Sequence, residues 1–119
     1  MDIKQKIIIN CSKTNEESCG FIVHDDDYDV IKVKNVAENK NENFQIASND
    51  YLYIKKNHNL VGIYHSHPKS SEEPSSADKN SAEVSCLPFI IYSKITNKFS
   101  IYEPEESLSD VEEIKKILL

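Results

Sequence analysis

The residues best suited to chemistry lie in one stretch, HSHPKSSEEPSSAD, at positions 65–78. It contains two histidines, His65 and His67, and an aspartate, Asp78, further along the chain. Two imidazole nitrogens and one carboxylate oxygen are a ligand set of catalytic zinc, whose fourth tetrahedral position stays open for water. Zinc in such a site lowers the pKa of water to about 7 and so supplies a nucleophile at neutral pH. The stretch therefore predicts one zinc ion, held by these three side chains.

The two histidines end an apolar segment, LVGIYHSH, which predicts a buried central strand. Side chains alternate between the two faces of a strand, so His65 and His67 should point to one face and Ser66 to the other. Pro68 should end the strand, because proline cannot donate a hydrogen bond to a neighbouring strand. Both imidazoles can therefore bind a single ion without rearrangement of the backbone.

The segment SSADKNSAEVSC predicts a helix that begins with Ser75 or Ser76 as its N-terminal cap. Asp78 then lies in the first turn, where its carboxylate can reach the ion from a second direction, and the Ser75 hydroxyl can face the same cleft. The simpler interpretation is that the His-x-His pair arises by chance and that Ser-x-x-Asp is a plain capping box. The order of strand, proline, loop, cap and acid favours the metal site, and capping by Ser75 is compatible with it.

A hydrolytic site also needs a base, and the segment NEESCGFIV provides two candidate carboxylates, Glu16 and Glu17. Glu17 lies just before Cys19 and Gly20, at the start of a predicted buried strand. Glu16 is the alternative, and only the spacing to the Cys-Gly pair favours Glu17. We interpret Cys19 as a small buried residue and not as a nucleophile.

The stretch HSHPKSSEEPSSAD resembles the JAMM motif of the JAB/MPN metallopeptidases: His-x-His-Pro, six residues, serine, two residues, aspartate. His65, His67, Ser75 and Asp78 fall on the motif positions residue by residue. EESCG is similar to the Glu-x-Cys-Gly segment of bacterial and phage members, and this likeness places the catalytic glutamate on Glu17. The resemblance extends from NEESCG to IIYS and is closest in pattern to the JAB domain of phage tail-assembly proteins.

This resemblance implies an α+β fold, an α/β sandwich of JAB/MPN (cytidine-deaminase-like) architecture, in which helices flank a mixed, curved β-sheet. It implies one Zn²⁺ per chain, with His65, His67 and Asp78 as ligands. It also implies that Glu17 takes a proton from the activated water, that the water oxygen attacks a carbonyl carbon, and that Glu17 then protonates the leaving amine. Ser75 would stabilise the oxyanion.

The resemblance further indicates the partner, because relatives cleave peptide or isopeptide bonds, often after the C-terminal glycine of ubiquitin or a ubiquitin-like protein. We therefore expect a protein or peptide substrate, either ubiquitin-like or from a phage tail. Phage relatives carry a second, cysteine-type peptidase domain after this one, whereas the present sequence continues only through a short predicted helix. We therefore expect residues 1–119 to form a single stand-alone domain. The alternative function is a non-catalytic scaffold or assembly module, for example at a phage tail tip, that uses the same fold.

Composition sets further limits. A length of 119 residues predicts one domain. A net charge of -6 argues against nucleic-acid binding, which needs clustered positive charge. No apolar run approaches the roughly 18 residues of a membrane span, and the N-terminal sequence lacks the features of a secretory signal. The three cysteines form no disulfide or zinc-ribbon pattern, so we expect a cytoplasmic protein, in the host cytoplasm if it is phage-encoded.

The remaining segments predict strands mixed with helices. DIKQKIIINCSK predicts an amphipathic helix, whereas GFIVH, DVIKVKNV and NENFQIA predict strands. SNDYLYIKKN predicts a helix capped by Ser48 or Asn49, and PFIIYSKITNKFSIYEP predicts a hairpin with a tight Thr-Asn turn. SLSDVEEIKKILL predicts a final helix with Ser109 as its cap and Glu112 at the third helical position.

Overall fold

The computed structural model describes residues 1–119, and a mixed sheet of five strands forms its centre. Across the sheet the strands follow the order β2-β1-β3-β4-β5. Strands β3 and β4 pair in parallel, and the other neighbours pair antiparallel. The histidine-bearing strand is therefore central, as the sequence predicted. The strands are β1 (Cys19–His24), β2 (Tyr28–Val33), β3 (Leu60–His67), β4 (Phe89–Ser93) and β5 (Lys98–Tyr102).

Four helices cover both faces of the sheet, which confirms the predicted α+β fold. Helices α1 (Ile3–Ser12) and α4 (Glu112–Leu118) pack on one face, where the buried core includes Ile7, Tyr64 and Ile114. Helices α2 (Ser48–Asn57) and α3 (Ser76–Ser85) contribute Ile54 and Ala82 to a second core on the opposite face, with Phe21, Ile63 and Phe89. None of the helices has the length and apolar character needed to cross a membrane.

Strand β3 is buried along almost its whole length because helices cover both of its faces. Tyr64 belongs to the core beneath α1 and α4, and Ile63 belongs to the core beneath α2 and α3. The alternation of side chains continues this pattern, so His65 and His67 lie on the Ile63 face. The histidines thus emerge on the side of the sheet that carries α3.

The segment NENFQIA, predicted as a strand, is not one. It makes one isolated β-bridge, between Ile46 and Asn35, and one backbone hydrogen bond, from the Val36 N–H to the Gln45 carbonyl at 2.9 Å. The reason is a contact with Asn35: its side-chain oxygen accepts from the backbone N–H of Gln45 at 3.0 Å, and its side-chain nitrogen donates to the carbonyl of Asn43 at 2.9 Å. A side chain therefore takes the hydrogen bonds that a neighbouring strand would otherwise make.

Two predicted caps and one predicted turn are also wrong. Ala47 is the N-cap of α2, and Val111 is the N-cap of α4, with no side-chain cap at either position. The hydroxyl of Ser109 donates instead to the carbonyl of Val61 at 2.7 Å, so α4 begins at Glu112. The hairpin loop between β4 and β5 spans residues 94–97 rather than a two-residue turn, and Asn97 adopts a φ of 55°.

Gly20 allows β1 to pass beneath the ring of Tyr64. A Cβ atom at position 20 would lie 2.3 Å from the carbonyl oxygen of Ile31 and 2.6 Å from Cε1 of Tyr64. Real Cβ atoms do not approach other atoms this closely, so either the backbone or the Tyr64 ring would have to move. The glycine is thus required by packing between β1 and its two neighbours.

We expect Gly20→Ala to lower the free energy of unfolding by about 1–3 kcal/mol through overpacking. The matched control is Gly62→Ala, whose added Cβ would first meet Cδ1 of Ile90, at 3.0 Å. Because that atom is the mobile end of a side chain, the control should lose less. Chemical denaturation of both variants measures the difference, and an equal or smaller loss for Gly20→Ala would contradict the packing argument.

Candidate metal centre

The two histidines at the end of β3 lie side by side and are buried. His65 has no exposed surface and His67 is 8% exposed, and their ring centroids lie 5.2 Å apart. Phe44 stacks on His65 with a centroid separation of 4.3 Å, and Phe89 packs edge-on against the same ring at 5.7 Å. Aromatic contacts on two sides therefore fix the plane of the His65 imidazole.

Asp78 faces both imidazoles with one carboxylate. Its Oδ1 lies 2.9 Å from Nε2 of His65, and its Oδ2 lies 3.1 Å from Nε2 of His67. The start of α3 holds this carboxylate in place through a capping box with Ser75. The Asp78 N–H donates to Oγ of Ser75 at 3.1 Å, and the Ser75 N–H donates to Oδ2 of Asp78 at 2.9 Å. Of the two predicted caps, Ser75 is therefore the one used.

Glu17 reaches the same histidines from the segment just before β1, the strand next to β3. Carboxylate and imidazole atoms of Glu17, His65 and His67 all lie within 4.8 Å of one another. The backbone there is tied to β3: the Ser18 N–H donates to Oγ of Ser66, and the Ser66 N–H donates to the Ser18 carbonyl, both at 2.9 Å. Glu17 is 6% exposed.

The other candidate carboxylate, Glu16, is solvent-exposed. It is not among the residues that surround the histidines. The structure therefore places Glu17, and not Glu16, beside the two histidines.

The donor atoms fit a zinc ion. Both ring nitrogens of the fully buried His65 lack a hydrogen-bond partner, although Oδ1 of Asp78 lies 2.9 Å from Nε2. Unpaired buried nitrogens are costly, and metal ligation would satisfy Nε2. With zinc–ligand bonds of about 2.0–2.1 Å, tetrahedral ligand atoms lie roughly 3.3 Å apart. The separations of 2.9 and 3.1 Å between Asp78 oxygens and the two Nε2 atoms are close to this value.

A hydrogen bond from the far side of the ring orients His67. Its Nδ1 lies 2.7 Å from the carbonyl oxygen of Ser71. A carbonyl can only accept, so Nδ1 carries the hydrogen, and Nε2 is the nitrogen through which the ring can bind a metal. Metal-ligating histidines commonly have such an outer partner. Nε2 also lies within hydrogen-bonding distance of Oδ2 of Asp78, at 3.1 Å; burial opposes protonation of the ring, but this carboxylate outweighs it and raises the pKa of His67.

Burial and neighbouring charges set the ionisation of these groups. Burial raises the pKa of Glu17 to about 7, against the effect of nearby His67. Burial also opposes ionisation of Asp78, but the two facing histidines outweigh it and hold the pKa of this carboxyl well below its usual range. Burial lowers the pKa of His65. An ionised carboxylate and a neutral imidazole are the forms that bind metal.

An open cleft lies over the centre, with a volume of about 340 Å³. Glu17, His67, Ser75 and Asp78 line it. An apolar cavity of about 550 Å³ adjoins the cleft, and Phe44 lines both. A chain segment lying in the cleft could therefore place one of its groups beside Glu17 and another against apolar side chains.

Comparison with known proteins identifies the family. The sequence profile described as prokaryotic homologs of the JAB domain (Prok-JAB) matches residues 5–107. The chain belongs to this family. Among curated proteins, none matches the sequence significantly.

Two solved structures share the fold of this Prok-JAB chain. One is a protein of Desulfitobacterium hafniense, solved in solution, with 22% identity and a TM-score of 0.62 over 92% of this chain and 90% of that one. The other is a JAB1/MPN domain protein from Archaeoglobus fulgidus, with 18% identity and a TM-score of 0.55 over 87% of this chain and 85% of that one. Membership of the JAB/MPN family and the α+β fold, both expected from the sequence, are thereby confirmed.

The Prok-JAB fold brings all five predicted site residues to one place. Glu17 comes from the segment before β1, two histidines from the end of β3, and Ser75 and Asp78 from the start of α3. Sequence reasoning missed Phe44 and Asn35. Neither carries a local signal, because each acts on the site from a segment distant in sequence.

We expect the wild-type protein to bind about one zinc ion, and His65→Ala to lower zinc affinity by roughly 100-fold or more, since even losses of outer partners cost 10–100-fold. The control is His58→Ala, because His58 lies away from the centre and contacts Asp25 at 2.6 Å. Titration against a chromophoric chelator measures both variants. Equal affinities for His65→Ala and wild type would contradict the assignment of His65 as a ligand.

Proposed function

We propose that this chain is a zinc-dependent hydrolase that cleaves a peptide or isopeptide bond in a protein substrate. The observation that carries the proposal is the buried group of Glu17, His65 and His67, with ligand atoms within 4.8 Å of one another, faced by the carboxylate of Asp78. In this proposal His65, His67 and Asp78 hold the zinc ion. Glu17 is left free to act as a base.

Glu17 is suited to move protons at neutral pH. A general base works best when its pKa lies near the working pH, and burial raises the pKa of Glu17 to about 7. When bound, zinc polarises a water molecule and lowers its pKa. The carboxylate of Glu17 would accept one proton from the attacking water molecule as the water oxygen bonds to the carbonyl carbon. Glu17 then gives that proton to the amide nitrogen as the C–N bond breaks, which releases an amine and a carboxylic acid.

In this proposal Ser75 stabilises the oxyanion. Its Oγ accepts the N–H of Asp78 at 3.1 Å, and its own hydroxyl hydrogen has no acceptor within the protein. Ser75 also lines the cleft with Glu17. The hydroxyl can therefore donate to the oxygen that becomes negative when the carbonyl is attacked, and such donors contribute strongly to acyl-transfer reactions.

The cleft favours a polypeptide as the substrate. It is open and shares Phe44 with an apolar pocket beside it, an arrangement that fits an extended chain with both polar backbone and apolar side chains. We propose the tail of a ubiquitin-like protein as the first substrate to test, on the strength of the motif likeness. A phage tail protein is the second candidate, on the same ground.

We expect Glu17→Gln to lower the rate of hydrolysis by about 10²–10⁴-fold, because glutamine cannot accept the proton. The matched control is Glu16→Gln, which changes an exposed neighbour in the same way and should keep the wild-type rate. Zinc-loaded proteins are assayed on a ubiquitin-like fusion protein and on a quenched fluorescent peptide library. Fully zinc-loaded wild type that cleaves nothing in either assay would favour the non-catalytic assembly module.

We expect Ser75→Ala to lower the rate by about 10²–10³-fold through loss of the oxyanion donor. It should also lower the free energy of unfolding by about 1 kcal/mol through loss of the helix cap. Ser75→Thr keeps a hydroxyl for both roles and should restore most of the rate and the stability. Parallel kinetics and denaturation separate the roles, since an alanine variant that loses stability but not rate would limit Ser75 to capping.

A further inference from the structure

Just beyond the end of the β1–β2 ladder, the side chain of Asn35 makes the hydrogen bond to Glu17 that a backbone N–H would make in a continued sheet. The antiparallel ladder between β1 and β2 ends where Cys19 pairs with Val33, and the same register places Asn35 opposite Glu17. There the Nδ2 of Asn35 donates to the Glu17 carbonyl at 2.9 Å. Asn35 is 7% exposed, so this amide is buried where the strand pair opens.

All four hydrogen-bonding positions of the Asn35 amide are used. Nδ2 donates to the carbonyls of Glu17 and Asn43, each at 2.9 Å. Oδ1 accepts from the N–H groups of Ala37 at 2.9 Å and Gln45 at 3.0 Å. An amide has two donors and two acceptor sites, so no capacity is left over. The Asn35 side chain thus closes the segment 36–45, together with the backbone hydrogen bond from the Val36 N–H to the Gln45 carbonyl at 2.9 Å, and ties it to Glu17.

The segment closed by Asn35 contacts the metal centre at two places. The Lys40 carbonyl accepts the N–H of Glu17 at 2.7 Å. The Phe44 ring stacks on His65 at a centroid distance of 4.3 Å. The segment therefore holds the backbone of the proposed base and also covers one of the proposed ligands.

We propose that Asn35 is a positioning residue, which holds Glu17 at the histidines and Phe44 against His65 through the segment 36–45. Its catalytic consequence rests on the proposed function, because it assumes that Glu17 is the base. A misplacement of a reacting group by about 1 Å costs on the order of 100-fold in rate. Loss of the Asn35 donors should therefore slow the proton transfer without removing any proposed metal ligand.

The test is a double-mutant cycle with Asn35→Asp, which keeps the acceptor oxygens but removes both donors. In the wild-type background we expect kcat to fall by about 10–100-fold, with KM and zinc affinity unchanged within about twofold. In the Glu17→Gln background the same substitution should change the residual rate by no more than about twofold, because the group it positions is already gone. An equal fall in both backgrounds would show a general structural effect and overturn the proposal.

Asn39→Ala is the matched control in the same segment. Asn39 is exposed and its side chain donates only to Glu42, at 3.0 Å. This variant should keep the wild-type kcat. A fall as large as that of Asn35→Asp would mean that any disturbance of the segment slows the reaction, which would also overturn a specific role for Asn35.

A second readout does not depend on hydrolysis. The Glu17 N–H donates to the Lys40 carbonyl of the segment that Asn35 holds. In Asn35→Asp we therefore expect amide hydrogen exchange of Glu17 to accelerate at least tenfold, roughly the effect of losing one buried hydrogen bond. We also expect the ring resonances of His65 to shift. The Ile22 amide, in the middle of β1, should not change. If wild type cleaves nothing, the exchange rate of Glu17 and the resonances of His65 still test the positioning role. Unchanged values of both in Asn35→Asp would overturn it. Should Asn35→Asp not fold, Asn35→Ser takes its place under the same criteria.

Discussion

The buried carboxylate of Asp78 is the group on which the arrangement of the site depends. A buried ion costs several kcal/mol unless charges and hydrogen bonds compensate it. Here the compensation comes from the two imidazoles at the end of β3 and from the N–H of Ser75 at the start of α3. The end of the central strand and the beginning of the helix must therefore lie together. The Asp78 side chain thus takes part in the helix cap and also faces both histidines.

The sheet supplies the other constraint, because successive residues of β3 serve different faces. Tyr64 fills the core under α1 and α4, while His65 and His67 face the side of α3. Between the histidines, Ser66 is turned the other way and accepts the N–H of Ser18. That contact fixes the segment that carries Glu17. A site built on a central strand that is covered on both faces is held rigidly. This suits a candidate metal centre in which the Asp78 oxygens lie about 3 Å from the two imidazole nitrogens.

Elements governed by short-range rules were predicted well. The central strand, the hairpin strands and all four helices follow from hydrophobic periodicity and β-branched content. The errors fall where tertiary contacts compete with local signals. Ser109 does not cap α4 because its hydroxyl bonds to Val61, and the segment NENFQIA does not form a strand because Asn35 takes the hydrogen bonds of its backbone. Whether a residue caps a helix or pairs in a sheet therefore depends on its hydrogen-bond partners in the fold as well as on its own type.

The sequence by itself determined that two imidazoles share a face, since side chains alternate on any strand, and that Ser75 and Asp78 begin a helix together. It also proposed Glu17, but only through spacing to a Cys-Gly pair. The tertiary structure decided between Glu16 and Glu17, because burial beside the histidines depends on how β1 pairs with β3. It alone revealed Asn35 and Phe44. Their contacts join segments far apart in the chain, and no local pattern of residue types predicts which distant segments will meet.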